Sequence, residues 1–565
     1  MMKIKLLVGK ISKAVIFLLL LMLMSVPVNV LAQSSDTLDV APGYQTLNLA
    51  VIGDTTTTGA PQDTNRVYRL QRGGVYLLNG SISNVKGSTL RIVAAEGVGA
   101  MPMLIPAAST SGSSSRPFSF SGNALLKGLY ISGINNIGNP GDKNMLRMNA
   151  TGMRLVVDSC FLDYEAQSFV RMNAPGQSVF FINSQLRNTM LPADPANGRF
   201  IDTRGNVEDT IYLLNSTLYV GSDAVIRDGG NVIQNVVIDH CTFYQCAGSN
   251  FANGVDNSHS TGVFDVSRCV NLKFTNNLLI NVGFEGDWHA KTGPNSLLDT
   301  TDAPIICIDS LNAPSIAGES QRHYTITNNV WGYTSDLLNY YASTDSIKLF
   351  VLLNKYDSLM ISGNPNFVAK NNLNDTVAFS NAPKDDSLLA YIKYREQTGF
   401  AGTNNPNIFA DENGVGQFSS DPGSFGTGPN PFTFSYNTNS QAYTYAEHGL
   451  PVGDLNWFPD KYAYWLTPVV ERGGPKIPAG FSLAQNYPNP FNPSTMINYQ
   501  LPMTSHVTLK VYNVLGQEVA TLFSGILTPG NYTATFNGSK FASGVYFYRL
   551  EAGSVSITKK LVLMK

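Results

Sequence analysis

The chain has 565 residues, of which 14% are charged, and its formal net charge is −2 at pH 7. An average soluble domain carries about 25% charged residues, so this balance excludes a protein that tracks phosphates with clustered Lys and Arg. The length calls for several domains or one elongated repeat array, and 50 Gly, 10% aromatics and abundant Asn, Ser and Thr suit turn-rich β structure.

At the N-terminus, Lys3, Lys5, Lys10 and Lys13 lead into a run from Ala14 to Val30 that is almost wholly apolar. Val30-Leu31-Ala32 before Gln33 supplies the small residues a signal peptidase reads, so residues 1–32 are predicted as a signal peptide cut between Ala32 and Gln33. The run is at the short end for a spanning helix. No later segment reaches that length, which predicts a mature chain without a transmembrane segment.

Residues 33–470 carry a recurring motif: alternating apolar residues, a polar step, then another apolar residue. It reads Leu155-Val156-Val157-Asp158-Ser159-Cys160-Phe161, and returns at Phe180–Leu186, Tyr212–Leu218, Val236–Phe243, Leu272–Leu278 and Tyr324–Val330. The polar step falls at Asp158, Asn183, Asn215, Asp239, Thr275 and Thr327, with weaker echoes at Tyr130–Gly133 and Met360–Gly363. A shortest spacing of about 24 residues is one turn of a parallel β-solenoid, and longer intervals are loops leaving a coil of fixed cross-section. The longest interval, Thr275 to Thr327, hides either a whole coil or a large loop. Ser387 to Gln397 is the best helix candidate, and residues 471–478 read as a linker.

The five cysteines are Cys160, Cys241, Cys246, Cys269 and Cys307, with no CxxC spacing for zinc. Cys160 and Cys241 occupy one rung position three coils apart, about 14 Å and too far for a bridge. Only Cys246 and Cys269 are candidates for pairing.

These rungs, and the opening Gly43–Leu47 with Gly73–Gly80, resemble the right-handed parallel β-helix proteins of the pectin-lyase-like superfamily over roughly residues 40–465. A second resemblance covers residues 479–565. Phe481–Ser494 (FSLAQNYPNPFNPS), Val507–Asn513, Ala542–Leu550 and the closing Lys559–Lys565 are similar to the type A C-terminal sorting domain of the type IX secretion system. That resemblance implies a small β-sandwich, a partner in the type IX machinery, and a secreted or cell-surface destination reached through the periplasm.

Val237-Ile238-Asp239-His240-Cys241 with Gly262–Val266 resembles the metal-binding segment of calcium-dependent pectate lyases, which implies Asp239 and Asp265 as Ca²⁺ ligands. Hard oxygen ligands suit Ca²⁺, and an Arg or Lys takes the proton beside the sugar acid. The chain departs from the pattern: Thr261 stands where an Asp belongs, and no downstream arginine pair follows. The simpler reading makes Asp239 a corner residue, since it falls at the step filled by Asp158, Asn183 and Asn215, and Asp265 another such corner. A second cluster gathers Glu285, Asp287, Trp288 and His289 as substrate-binding candidates, with Lys291 and Arg322 as candidate catalytic bases. Its bland reading is a solvated loop. Aromatic segments at Tyr324–Tyr341 and Phe432–Trp465 either stack on sugar rings or close the open end of the solenoid.

The sequence therefore predicts an all-β chain: a right-handed parallel β-helix followed by a β-sandwich. The expected activity is binding, or cleavage, of extracellular polysaccharide; the rival is a non-catalytic adhesion protein with the solenoid as a rigid contact surface.

Overall fold

A computed structural model describes residues 36–63, 65–191, 193–248, 262–285, 303–308, 321–343, 349–398, 404–409, 432–466, 481–486, 488–501, 505–527, 530–552 and 555–564. They fall into two compact units, one within Ser35–Lys461 and one within Tyr462–Lys565.

The first unit is a parallel β-solenoid. Two 11-stranded sheets and one 8-stranded sheet run along it, each built from strands contributed one per coil. The first sheet runs from Thr37–Val40 to Phe367–Lys370, the second from Gly43–Tyr44 to Leu373–Asn374, and the third from Ile82–Asn84 to Ile306–Cys307. Alternation delivers every second side chain inward. One inner stack is Leu155, Val179, Ile211, Val236, Leu272 and Tyr324; the next is Val157, Phe181, Leu213, Ile238, Phe274 and Ile326. The predicted rungs are thus in register. Thr275 pairs directly with Thr327, so the longest interval holds one coil enlarged by loops and no extra coil.

Between the first and second sheets the chain turns through one left-handed residue per coil: Gly128, Ser159, Asn183, Asn215, His240, Asn276, Asn328 and Asn371. Such backbone costs a non-glycine residue about 1 kcal/mol. Each large side chain that the corner delivers to the core regains roughly 2 kcal/mol, so the corner is affordable even for Ser and His. The following residue points inward and hydrogen-bonds the next coil. Ser184 Oγ accepts from Cys160 N at 3.1 Å, Asn277 Oδ1 from Cys241 N at 2.9 Å, and Asn329 Oδ1 from Asn277 Nδ2 at 3.0 Å. Asn372 Oδ1 then accepts from Asn329 Nδ2 at 2.8 Å.

Cys160 and Cys241 stand in this inner column with Ser184 and Ser216 between them, both as buried free thiols. Cys246 and Cys269 are likewise free and buried, so the one pairing considered from sequence is not made. A helix, Thr46–Gly53, caps the first coil with Leu47 and Val51 in the core. The sequence helix appears as Asp386–Gln397. The echo at Met360–Gly363 is no rung; it is the end of the helix Lys355–Gly363, whose Asn354 and Asp357 form a capping box.

The second unit is antiparallel, a 3-stranded and a 4-stranded sheet around one core that includes Ile497, Leu509, Phe536, Tyr548 and Leu561. Strand Ser494–Leu501 alternates exposed and buried residues along its whole length, as a two-layer sandwich requires.

Candidate functional site

Asp239 ends the first-sheet strand Ile233–Asp239. Its carboxylate accepts from Lys273 Nζ at 2.9 Å, Thr275 Oγ1 at 2.8 Å and Asn276 Nδ2 at 2.8 Å. Burial disfavours its charge, yet the Lys273 ammonium, His240 and these hydrogen bonds win and hold the carboxyl down at about 2. The corner reading needs a one-residue correction. Asp239 lines up with Leu214 and Thr275, so the left-handed residue matching Asn183 and Asn215 is His240. The sequence pattern aligns the apolar residues, and only backbone pairing separates the last strand residue from the corner.

Asp265 is buried on the third sheet beside Asp228, and Ser267 Oγ reaches both carboxyls, at 3.1 Å and 3.0 Å. Burial and then the Asp228 carboxylate drive the Asp265 carboxyl well above its usual range. Arg322 approaches the same place but is fully buried. Its Nη2 donates to Ser267 O at 2.9 Å and its Nε to Cys269 O at 3.0 Å, with the guanidinium over the Tyr324 ring.

Glu285 lies elsewhere, beyond the second-sheet strand Leu278–Val282. It is buried, accepts from Tyr391 Oη at 2.5 Å and meets Arg395 Nε at 3.5 Å. Glu285 and Arg322 thus neither share one cluster nor stand in a solvated loop: backbone carbonyls claim Arg322, and the helix Asp386–Gln397 claims Glu285. Asp287, Trp288, His289, Lys291, Ala32 and Gln33 lie outside the described residues. Among the described residues no group of three or more His, Cys, Asp or Glu converges.

The aromatic segment after Phe432 is also placed differently from the expectation. Instead of closing the solenoid's end, residues 432–458 pack on the outer face of the second sheet and the adjoining corner. Phe434 meets Tyr219 and Tyr244 at ring separations of 4.8 and 5.7 Å, and Trp457 Nε1 donates to Thr217 Oγ1 at 2.8 Å. Asp454 is the main tie. Its Oδ2 accepts from Thr217 Oγ1 at 2.7 Å while its backbone N donates to Thr242 Oγ1 at 2.9 Å. Under the same cover, Asp163 accepts from Arg187 Nη2 at 2.8 Å, Asn188 Nδ2 at 2.9 Å and Tyr130 Oη at 3.0 Å.

The third sheet's outer face carries a charged column that the sequence reading missed: Ser119, Arg147, Arg171, Asp202, Arg227 and Asp265 in successive coils. Its only sequence signal is the alternation Leu146-Arg147-Met148 and Val170-Arg171-Met172. Each arginine is flanked by two core residues, a pattern that marks an outward side chain.

In the antiparallel unit, the Pro-punctuated opening grips the last strand, Val555–Leu563. Asn489 Oδ1 accepts from Val562 N at 2.9 Å, and Phe491 pairs its backbone with Val562 and Met564 at 3.0 Å each. Residues 485–564 match the family model described as a secretion system C-terminal sorting domain. This unit is a type IX sorting domain. The protein is accordingly exported to the cell surface or secreted, and its sorting domain engages the type IX machinery. No helix among the described residues is long and apolar enough to cross a membrane. The sequence matches none of the curated proteins with which it was compared.

Proposed function

We propose that this is an exported β-helix protein whose solenoid binds extracellular polysaccharide as a rigid contact surface and does not cleave it. Residues 1–32 serve as the signal peptide, and the sorting domain carries the chain across the outer membrane. The observation that supports binding over cleavage is the saturation of Asp239. Its three hydrogen bonds, one of them from the Lys273 ammonium, already satisfy the charge that a Ca²⁺ ion would require. Asp265, the other ligand implied by resemblance, shares a buried pocket with Asp228, where ionising both carboxyls is costly.

The test is the exported protein against polyuronates and neutral glycans, with and without Ca²⁺, read by retention on immobilised glycan and by ultraviolet absorbance of unsaturated ends. Retention with no new absorbance is expected. Ca²⁺-dependent absorbance would overturn the reading in favour of a lyase, and no retention on any glycan would favour a spacer. In a parallel experiment, deleting residues 479–565 should leave the chain in the periplasm.

A further inference from the structure

We infer that Arg147 and Arg171, on the outer face of the third sheet, form a site for an oxyanion group carried on an acidic polysaccharide. The inference rests on the reading of the solenoid as a glycan-binding element and names where and what it binds.

Arg147 and Arg171 are direct partners in the parallel ladder, so their backbones are about 4.8 Å apart. Inward neighbours Leu146, Met148, Val170 and Met172 fix both guanidinium stems on the outside of the same sheet. Two half-buried cations at this spacing repel unless an anion lies between them. Among the described residues neither makes an ion pair, and the Nε atom of each is buried without a hydrogen-bond partner. Arg171 has one weak side-chain contact, Nη1 to Gln167 Oε1 at 3.3 Å.

The acids nearby are engaged elsewhere. Asp142 pairs with Arg116, and Asp202, next in the column, meets Arg199 at 3.6 Å and Arg204 at 3.9 Å. Burial first, and then Arg116 for Arg147 and Arg204 for Arg171, pull both guanidinium groups below their usual range. Four other arginines, by contrast, are held by acids. Arg187 is bound to Asp163, Arg199 to Asp223, Arg66 to Asp54 and Arg69 to Asp39. An adjacent pair of arginines that makes no ion pair, in a chain with so little charge, suits an anion site.

Sulfate esters and carboxylates both fit the fork of a guanidinium. A polymer rather than a small ion is favoured by what flanks the pair. Asn149 Nδ2 donates to Ser119 Oγ and Asn173 Nδ2 to Asn149 Oδ1, each at 3.1 Å, making a polar rail along successive coils.

The probes are dextran sulfate, polygalacturonate, neutral dextran, duplex DNA and inorganic sulfate, titrated into the full exported chain by calorimetry. Binding of at least one acidic polysaccharide, weakened by salt and absent with neutral dextran, is expected. The double variant Arg147→Gln, Arg171→Gln should weaken it by roughly tenfold or more. Arg171→Lys keeps the charge but loses the fork, and should fall between. Arg69→Gln, which removes one positive charge from the first sheet, should change nothing. Undiminished acidic-polysaccharide binding by the double variant overturns this site while leaving the glycan-binding reading standing. Inorganic sulfate binding that the double variant loses, with no polymer bound, keeps the oxyanion site and overturns the polysaccharide. Binding of duplex DNA alone overturns both.

Discussion

The second and third sheets of the solenoid are built by the same alternation, yet they treat charge on their outer faces in opposite ways. On the second sheet, Asp163 and Arg187 are partners, and the chain's own residues 432–458 cover the tyrosines that follow them in the column. On the third, Arg147 and Arg171 are neighbours with the same sign. In a repeat array a charged residue is read by its neighbour one coil away. Its neighbours in sequence say little.

The sharpest way to break this contrast is to remove a cation from the covered face. Arg187→Ala leaves Asp163 buried and uncompensated, and should cost about 3–5 kcal/mol in urea unfolding. A loss below about 1 kcal/mol would mean that the face is wet and no different from the third sheet. Next comes the inner ladder that both faces share. Asn329→Ala removes the oxygen that accepts two hydrogen bonds from Asn277 and the amide that donates to Phe274 O, and should cost about 2–3 kcal/mol because buried groups lose their partners.

A smaller effect is set by pH. Burial raises the Asp454 carboxyl to about 7, against the hydrogen bonds from Thr217 and Asn456. The folded state therefore holds this proton over a range in which the unfolded chain, with an ordinary carboxyl near 3.8, has released it. Stability from this group is full at low pH and declines as pH rises through about 7. Melting temperatures at pH 5 and pH 8 should differ less in Asp454→Asn than in the unmodified protein. An unchanged difference would detach Asp454 from the cover. The smallest change belongs to the open face: Arg147→Gln with Arg171→Gln should leave the melting temperature level or slightly raised, since like charges are removed. A drop of several degrees would make the pair structural.

Much of the fold was legible because it is local. Val157, Phe181 and Ile238 point inward by alternation alone, and Asn183 and Asn215 were identifiable as corners because their side chains tolerate left-handed backbone. The candidate site was far less legible. Asp239 was placed with Asn183 and Asn215 because Ile-Asp-His and Ile-Asn-Ser look alike as strings; pairing puts His240 at the corner instead. Glu285 and Arg322 looked like loop charges, but Tyr391 and the Cys269 carbonyl, which bury them, come from segments far along the chain.

What the sequence by itself determined is the export route implied by the last eighty or so residues, the coil, and the sandwich. Each follows from short-range periodicity in which one strand or turn specifies its own geometry. What only the tertiary structure decided is which charges meet. Coil neighbours are separated by loops of unequal length, so the adjacency of Arg147 to Arg171, the engagement of Asp239 by Lys273, and the cover laid over Tyr219 and Tyr244 depend on register. Register is fixed by the stacked core and the corner hydrogen bonds acting together.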